Sequence, residues 1–366
     1  MSIEMVERKL KEFLAPLNLP YYHVCVSKGY EKILSVGERR GEKTTGDERL
    51  FMFSMTKPIT TFLAMRLIEQ GKISLEDKVC KFLPFVKDCF LIDEQGNKTI
   101  VGDCILIKHL FTMSAGFDYD TESKYLTKLY KQNPNATTME VLRAICKKPL
   151  RFYPGDRFSY SLCHDVLAGV IEMVEKKKFS AVAQSELFSP LNMSNSGFYP
   201  NGKMEDRYYY DHLQKIFVPQ ESKNDLVVFS NYESGGAGLV STANDYLKFS
   251  TMLANGGANK KGQTFITNDT LDLWTFAQKK VLNIDRGFTS AQGLDYGYGY
   301  GVRTRTVRTN FGLPIGEFGW DGADGSYVMV DRVNRISVVI GLTTRNWPAF
   351  FIDHHIQIVK IIYENL

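Results

Sequence analysis

Ser54-Met55-Thr56-Lys57-Pro58-Ile59-Thr60-Thr61-Phe62-Leu63-Ala64-Met65-Arg66-Leu67-Ile68-Glu69-Gln70-Gly71 is the stretch on which the reading of this chain turns. From Pro58 onward it is a mostly apolar helix. Pro58 sits in the first turn, where a missing N–H costs little, and Gly71 is the C-terminal stop. At the mouth of this helix Ser54 and Lys57 stand three residues apart, on one face and within reach of each other. A serine hydroxyl is a weak nucleophile until a base takes its proton. A lysine is such a base only if burial or a neighbouring cation lowers its pKa from about 10.4. The site therefore has to be partly dry. A serine in this place also offers its own N–H, at the positive end of the helix dipole, to a developing oxyanion. The chain contains no other Ser-x-x-Lys and no Gly-x-Ser-x-Gly elbow that would supply a rival nucleophile.

The 366 residues exceed one simple domain, and 44% apolar content supports a sizeable core, so two lobes or one large domain with a helical insertion are expected. A net charge of +4, from 45 basic and 41 acidic residues, is too balanced for a nucleic-acid or anionic-membrane partner. Glu4, Glu7 and Glu12 interrupt the apolar residues of the N-terminus, which reads as an amphipathic helix rather than a signal peptide. No stretch is long and apolar enough to span a bilayer, and the expected location is the cytoplasm. Six cysteines without a Cys-x-x-Cys or a histidine cluster read as free, mostly buried thiols. No metal and no cofactor is expected.

Strands are predicted at 21–27 and 33–38, joined by a turn at Gly29. Helices separated by polar loops follow from about 75 to 280, including 107–113, 139–146, 165–175, 179–187 and 244–255. Strands return at 298–305, 316–320, 327–331 and 336–342, and an apolar helix over about 352–363 closes the chain. Strands at both ends with helices between imply an α/β (α+β) fold. One antiparallel sheet comes from residues 1–75 and 281–366 with flanking helices, and a mainly helical lobe of residues 76–280 is inserted into it. The groove between sheet and lobe is where a pocket is expected, with Ser54 opening onto it. Gly235-Gly236-Ala237-Gly238 lacks the spacing of a nucleotide fingerprint and reads as a close backbone packing site.

Two further segments carry candidate chemistry. A Pro154-Gly155-Asp156 turn delivers Phe158-Ser159-Tyr160-Ser161-Leu162, and the Tyr160 phenol can share a proton with Ser54 and a leaving group if a Lys57 cation favours its ionised form. Phe318-Gly319-Trp320-Asp321-Gly322-Ala323 is a strand edge broken by glycines, and the N–H of Ala323 becomes the second oxyanion donor if this strand borders Ser54.

In order and separation the three segments resemble the serine β-lactamase and penicillin-binding-protein superfamily. The branch is that of class C β-lactamases, D-alanyl-D-alanine carboxypeptidases and family VIII carboxylesterases. Ile107-Lys108-His109-Leu110-Phe111-Thr112-Met113-Ser114-Ala115-Gly116 and Ser234-Gly235-Gly236-Ala237-Gly238-Leu239-Val240-Ser241-Thr242 resemble further stretches of the same family. The resemblance implies that Ser54 is acylated, that Lys57 is its proton partner, and that Tyr160 is the tyrosine of the Tyr-x-Asn motif. It places Trp320-Asp321-Gly322 at the Lys-Thr-Gly position and makes Ser161, Leu162, Trp320, Asp321 and Gly322 candidate substrate contacts. Two departures bear on substrate. Leu162 stands where the asparagine would hold an acylamino group. Trp320 replaces the lysine, with Asp321 adding a negative charge where a substrate carboxylate would be neutralised, at a cost of about 1 kcal/mol or more. Arg303 and Arg305, on the neighbouring strand, are candidates to pair with Asp321 or to supply the missing cation. Tryptophan here is a feature of the esterase members. The expectation is hydrolysis of small or medium carboxylic esters through an acyl-Ser54 intermediate. The alternatives are β-lactamase, D-Ala-D-Ala carboxypeptidase or D-aminopeptidase activity by the same mechanism, or a non-catalytic penicillin-binding or sensor module.

Overall fold

The computed structural model describes residues 3–200, 202–276, 283–284 (backbone only), 295–347 and 353–366. The amphipathic start is helix α1 (Ile3–Leu14), which buries Val6, Leu10 and Leu14 and leaves its glutamates outside. Strands β1 (Tyr21–Lys28), β2 (Glu31–Arg39) and β3 (Glu42–Lys43) follow, and then helix α2 (Thr56–Glu69). Every residue of α2 from Thr56 to Met65 is buried, so it is a core helix with no solvent face over its first ten positions.

The segment that follows α2 carries helices set between long loops and short strand pairs. Helices at Ile107–Phe111 and Thr138–Ile145 precede α3 (Cys163–Glu175), and α4 (Ala243–Ala254) comes near its end. The expected boundary at 280/281 lies outside the described residues. Between α3 and α4 runs a hairpin of β4 (Arg207–Asp211) and β5 (Ile216–Gln220). The chain then returns as β6 (Tyr296–Tyr298), β7 (Arg303–Arg305), β8 (Phe318–Asp321), β9 (Tyr327–Asp331), β10 (Ile336–Leu342) and β11 (Thr344–Arg345), and ends in α5 (His355–Asn365). The single strand expected over 298–305 is two, because Gly301 at φ +101° turns the chain between β6 and β7. The expected start of the last helix at 352 is likewise outside the described residues.

The main sheet has eight strands in the order β6-β7-β8-β9-β10-β1-β2-β3, and every neighbouring pair is antiparallel. First and last segments of the chain meet where β1 pairs with β10, Val24 opposite Ile340. Alternation splits β1 between two cores: Tyr22, Val24 and Val26 pack toward α1 and α5, and Tyr21 and Cys25 pack toward α2 and the helical segment. Both faces are covered, so Tyr21 to Ser27 is one buried run. A smaller sheet, β11-β4-β5, lies beside it, with Thr344 of β11 parallel to Tyr208 of β4. All six cysteines are free, and four of them are buried. Among the described residues, no helix is long and apolar enough to cross a membrane.

Candidate active site

Ser54 is set by the chain immediately before α2. Leu50–Phe51 pairs antiparallel with Val240–Ser241, and Met52 N–H donates to Leu239 O at 2.9 Å. Phe53 then takes φ +46°, a left-handed conformation that costs a bulky residue on the order of 1–3 kcal/mol. This turn places Ser54 in a 3-10 segment, Phe53–Met55, leading into the helix, so its N–H lies in the first turn, where such donors have no helical partner. The glycine run folds over the same helix. Thr60 Oγ1 donates to Gly235 O at 2.7 Å, and a Cβ on Gly236 would stand 2.5 Å from Asp165 Oδ2, so only glycine permits this approach.

Lys57 is fully buried, whereas Ser54 keeps 8% of its exposure. Lys57 Nζ donates to Gly236 O at 2.7 Å and lies 3.1 Å from Ser54 Oγ. Both partners are neutral. Burial lowers the Lys57 pKa to about 7; the Asp165 and Asp321 carboxylates pull the other way and are outweighed. Near neutral pH a large fraction of this amine is unprotonated and able to accept the Ser54 proton.

Tyr160 O–H donates to Ser54 Oγ at 2.6 Å, and Lys57 Nζ sits 4.6 Å from the centre of the Tyr160 ring. The sequence reading makes the role of Tyr160 conditional on an ionised phenol favoured by Lys57. Burial, reinforced by neighbouring Tyr119, does the opposite and pushes the phenol well above its ordinary value, despite the hydrogen bonds with Ser54 and Trp320. Burial therefore favours the protonated phenol of Tyr160.

Two contributors were not visible in the sequence. Tyr119 stacks on Tyr160, with ring centres 5.3 Å apart and planes 7° apart, and its hydroxyl also hydrogen-bonds Ser54. The available signal was its place three residues after Gly116, whose φ of +91° turns the chain out of the Ile107–Gly116 segment. Asp165, on the buried face of α3, accepts from Ser234 Oγ at 2.5 Å and Gly236 N–H at 3.3 Å, and so holds the loop whose carbonyl binds Lys57. In sequence it is one more acid in the first turn of a helix.

The strand edge does border Ser54. Trp320 is buried, stacked on Tyr160 at 6.0 Å and edge-on to Tyr298 at 5.3 Å. A Cβ on Gly322 would lie 2.4 Å from Met52 O, which is why a glycine stands where the strand meets the nucleophile segment. The next residue, Ala323, is half-exposed, and among the described residues no acceptor takes its N–H. Asp321 is buried near the strand end, opposite Tyr327. The structure turns Ser161 away from this edge: its hydroxyl faces Cys163 Sγ at 3.1 Å and Met113 Sδ at 3.5 Å. Leu162 is buried in the core, and its N–H donates to Asp118 O at 3.0 Å. Arg303 and Arg305 both pair with buried Glu317, at 3.2 and 3.4 Å.

The chain resembles known proteins over most of its length. It is 27% identical over 330 residues to Protein Rv1367c of Mycobacterium tuberculosis, covering 82% of this chain and 80% of that one. It is 25% identical over 341 residues to Esterase EstB of Burkholderia gladioli, covering 85% and 81%. In structure it is similar to EstCE1, described as a hydrolase with promiscuous acyltransferase activity, with a TM-score of 0.79, 22% identity and coverage of 99% and 98%. Residues 6–361 match the family described as Beta-lactamase, so nearly the whole chain is accounted for, and it belongs to the Beta-lactamase family of serine hydrolases.

Proposed function

We propose that this protein hydrolyses small or medium carboxylic esters through an acyl-enzyme on Ser54. The observation that carries the ester reading is the packing of Trp320 against Tyr160, with Asp321 beside it, where a lysine would neutralise the carboxylate of a β-lactam or peptide substrate. A buried ring and a negative charge favour a substrate that brings no anion to this edge. The likeness to Esterase EstB supports the same reading.

Neutral Lys57 takes the Ser54 proton as Oγ attacks the ester carbonyl. The oxyanion is held by the N–H groups of Ser54 and Ala323. Tyr160 donates its phenolic proton to the departing alkoxide, and the proton that Lys57 took from Ser54 passes to the Tyr160 phenolate, since the acylated Oγ has none to relay. Water then enters in place of the alcohol and gives a proton to Lys57 as it attacks the acyl carbon, and that proton returns to Ser54 Oγ as the acid leaves.

The test compares turnover of p-nitrophenyl butyrate and nitrocefin by the purified chain, with Ser54→Ala as control. Ester hydrolysis that exceeds nitrocefin hydrolysis and disappears in Ser54→Ala is expected. Faster nitrocefin turnover would reject the reading of Trp320 and Asp321, and activity retained in Ser54→Ala would reject the nucleophile.

A further inference from the structure

Phe53, immediately before Ser54, and Asp324, immediately after Ala323, meet at one ionic group whose Arg207 and Asp324 are buried. Phe53 is fully buried, and two guanidinium groups approach its ring, Arg207 Cζ at 4.8 Å and Arg345 Cζ at 4.6 Å from the ring centre. Asp324, immediately after Ala323, accepts from Arg207 Nε at 2.6 Å, Arg207 Nη2 at 3.2 Å and Arg345 Nε at 2.9 Å. The backbone joins in, since Asp324 O accepts Thr344 N–H at 2.9 Å, beside Arg345. Asp225 closes the group on the solvent side, 2.5 Å from Arg345 Nη1 and 3.5 Å from Arg207 Nη2.

The arrangement is more specific than a structural ion pair requires. Arg207 comes from β4 and Arg345 from β11, so the small sheet that pairs these strands delivers both guanidinium planes to one ring. That ring belongs to the residue whose left-handed backbone aims Ser54. The carboxylate they share belongs to the residue that follows the other donor. Rigid, planar guanidinium forks suit both tasks, since they stack on aromatic faces and bind carboxylates with fixed geometry.

We propose that Asp324, Arg207 and Arg345 are positioning residues of the oxyanion hole, fixing the spacing between the N–H groups of Ser54 and Ala323 by tying Asp324 to the Phe53 ring. The proposal rests on the reading of Ser54 as nucleophile and Ala323 as second donor. An oxyanion exists only in the transition state and the tetrahedral intermediate. Loosening its donors therefore lowers kcat and leaves KM nearly unchanged.

The experiment uses the full chain as wild type, Asp324→Asn and Arg345→Lys, the latter keeping its charge at a partly exposed position. It reads three quantities: kcat and KM for p-nitrophenyl butyrate, the inhibition constant of a trifluoromethyl ketone that forms a hemiketal oxyanion on serine, and the pH profile of kcat/KM. Each variant is expected to lose about 10- to 100-fold in kcat with a matching loss of ketone affinity and an unmoved acid limb, because the donors shift while Lys57 is untouched. If Asp324→Asn does not fold, the same paired loss in Arg345→Lys carries the proposal. Unchanged kcat and ketone affinity with a lowered melting temperature, or a rise in KM alone, would overturn it. If wild-type Ser54 forms no ketone adduct, the nucleophile reading itself fails, which is a different result from an intact wild type with unaffected variants.

Discussion

Lys57 and Arg303 are both buried cations, and they are held in opposite ways. Lys57 hydrogen-bonds a hydroxyl and a peptide carbonyl, with carboxylates acting on it only through their field, and its pKa falls to about 7. Arg303 has Glu317 at 3.2 Å, Val328 O at 3.1 Å and the Tyr327 ring 4.4 Å below it. Burial alone would pull the Arg303 guanidinium down, but Tyr327 and Glu317 outweigh it and raise its pKa. The difference teaches that burial by itself does not decide a cation's state; the charge of its direct partners does. A lysine given neutral partners becomes a titratable base, and an arginine given a carboxylate stays a fixed charge.

Three substitutions sharpen this contrast, in falling order of effect on catalysis. Lys57→Arg keeps the charge and removes the ability to lose it. Acylation is expected to fall by about 10²–10⁴-fold in stopped-flow burst measurements, and near-wild-type rates would mean that charge, not proton acceptance, is what position 57 supplies. Tyr160→Phe removes the donor to the leaving group, so kcat on an alkyl ester should drop by about 10²-fold or more. The loss should be smaller on a p-nitrophenyl ester, whose departing phenolate needs no proton; equal losses on both would remove the leaving-group role. Glu317→Gln strips the partner from Arg303 and Arg305. It is expected to destabilise the fold by about 3–5 kcal/mol in urea unfolding while leaving the acid limb of kcat/KM in place, and a displaced limb would show that the two cations are coupled.

The parts of this arrangement that follow a local rule were legible in the sequence. Ser54 and Lys57 share one helical turn, and the two chain ends carry strand patterns that have nowhere to pair except with each other, as β1 and β10 do. The parts that depend on chain crossing were not. Tyr119 reaches Ser54 only because a loop folds its ring onto Tyr160, and its one local signal is Gly116, three residues before it. Tyr160 O–H lies 2.6 Å from Ser54 Oγ, but the state of its phenol is set by burial, which no local rule reveals. Ser161 shows the limit of the motif. Adjacent to a residue that faces the nucleophile, it is turned by the backbone toward Met113 and Cys163. The hairpin of β4 and β5 escaped because its partner strand, β11, is 136 residues away from Tyr208 when counted to Thr344 (344 − 208).

Acylation of Ser54 in this scheme requires a Lys57 amine that titrates near pH 7. The most direct test of this requirement is the rate at which a fluorophosphonate labels Ser54 as a function of pH, followed by intact mass and peptide mapping. Labelling should rise along a single titration centred near 7 and level off above it. A rate that is flat from about pH 5 to 9, or that climbs only near the solvated lysine value of about 10.4, would contradict it.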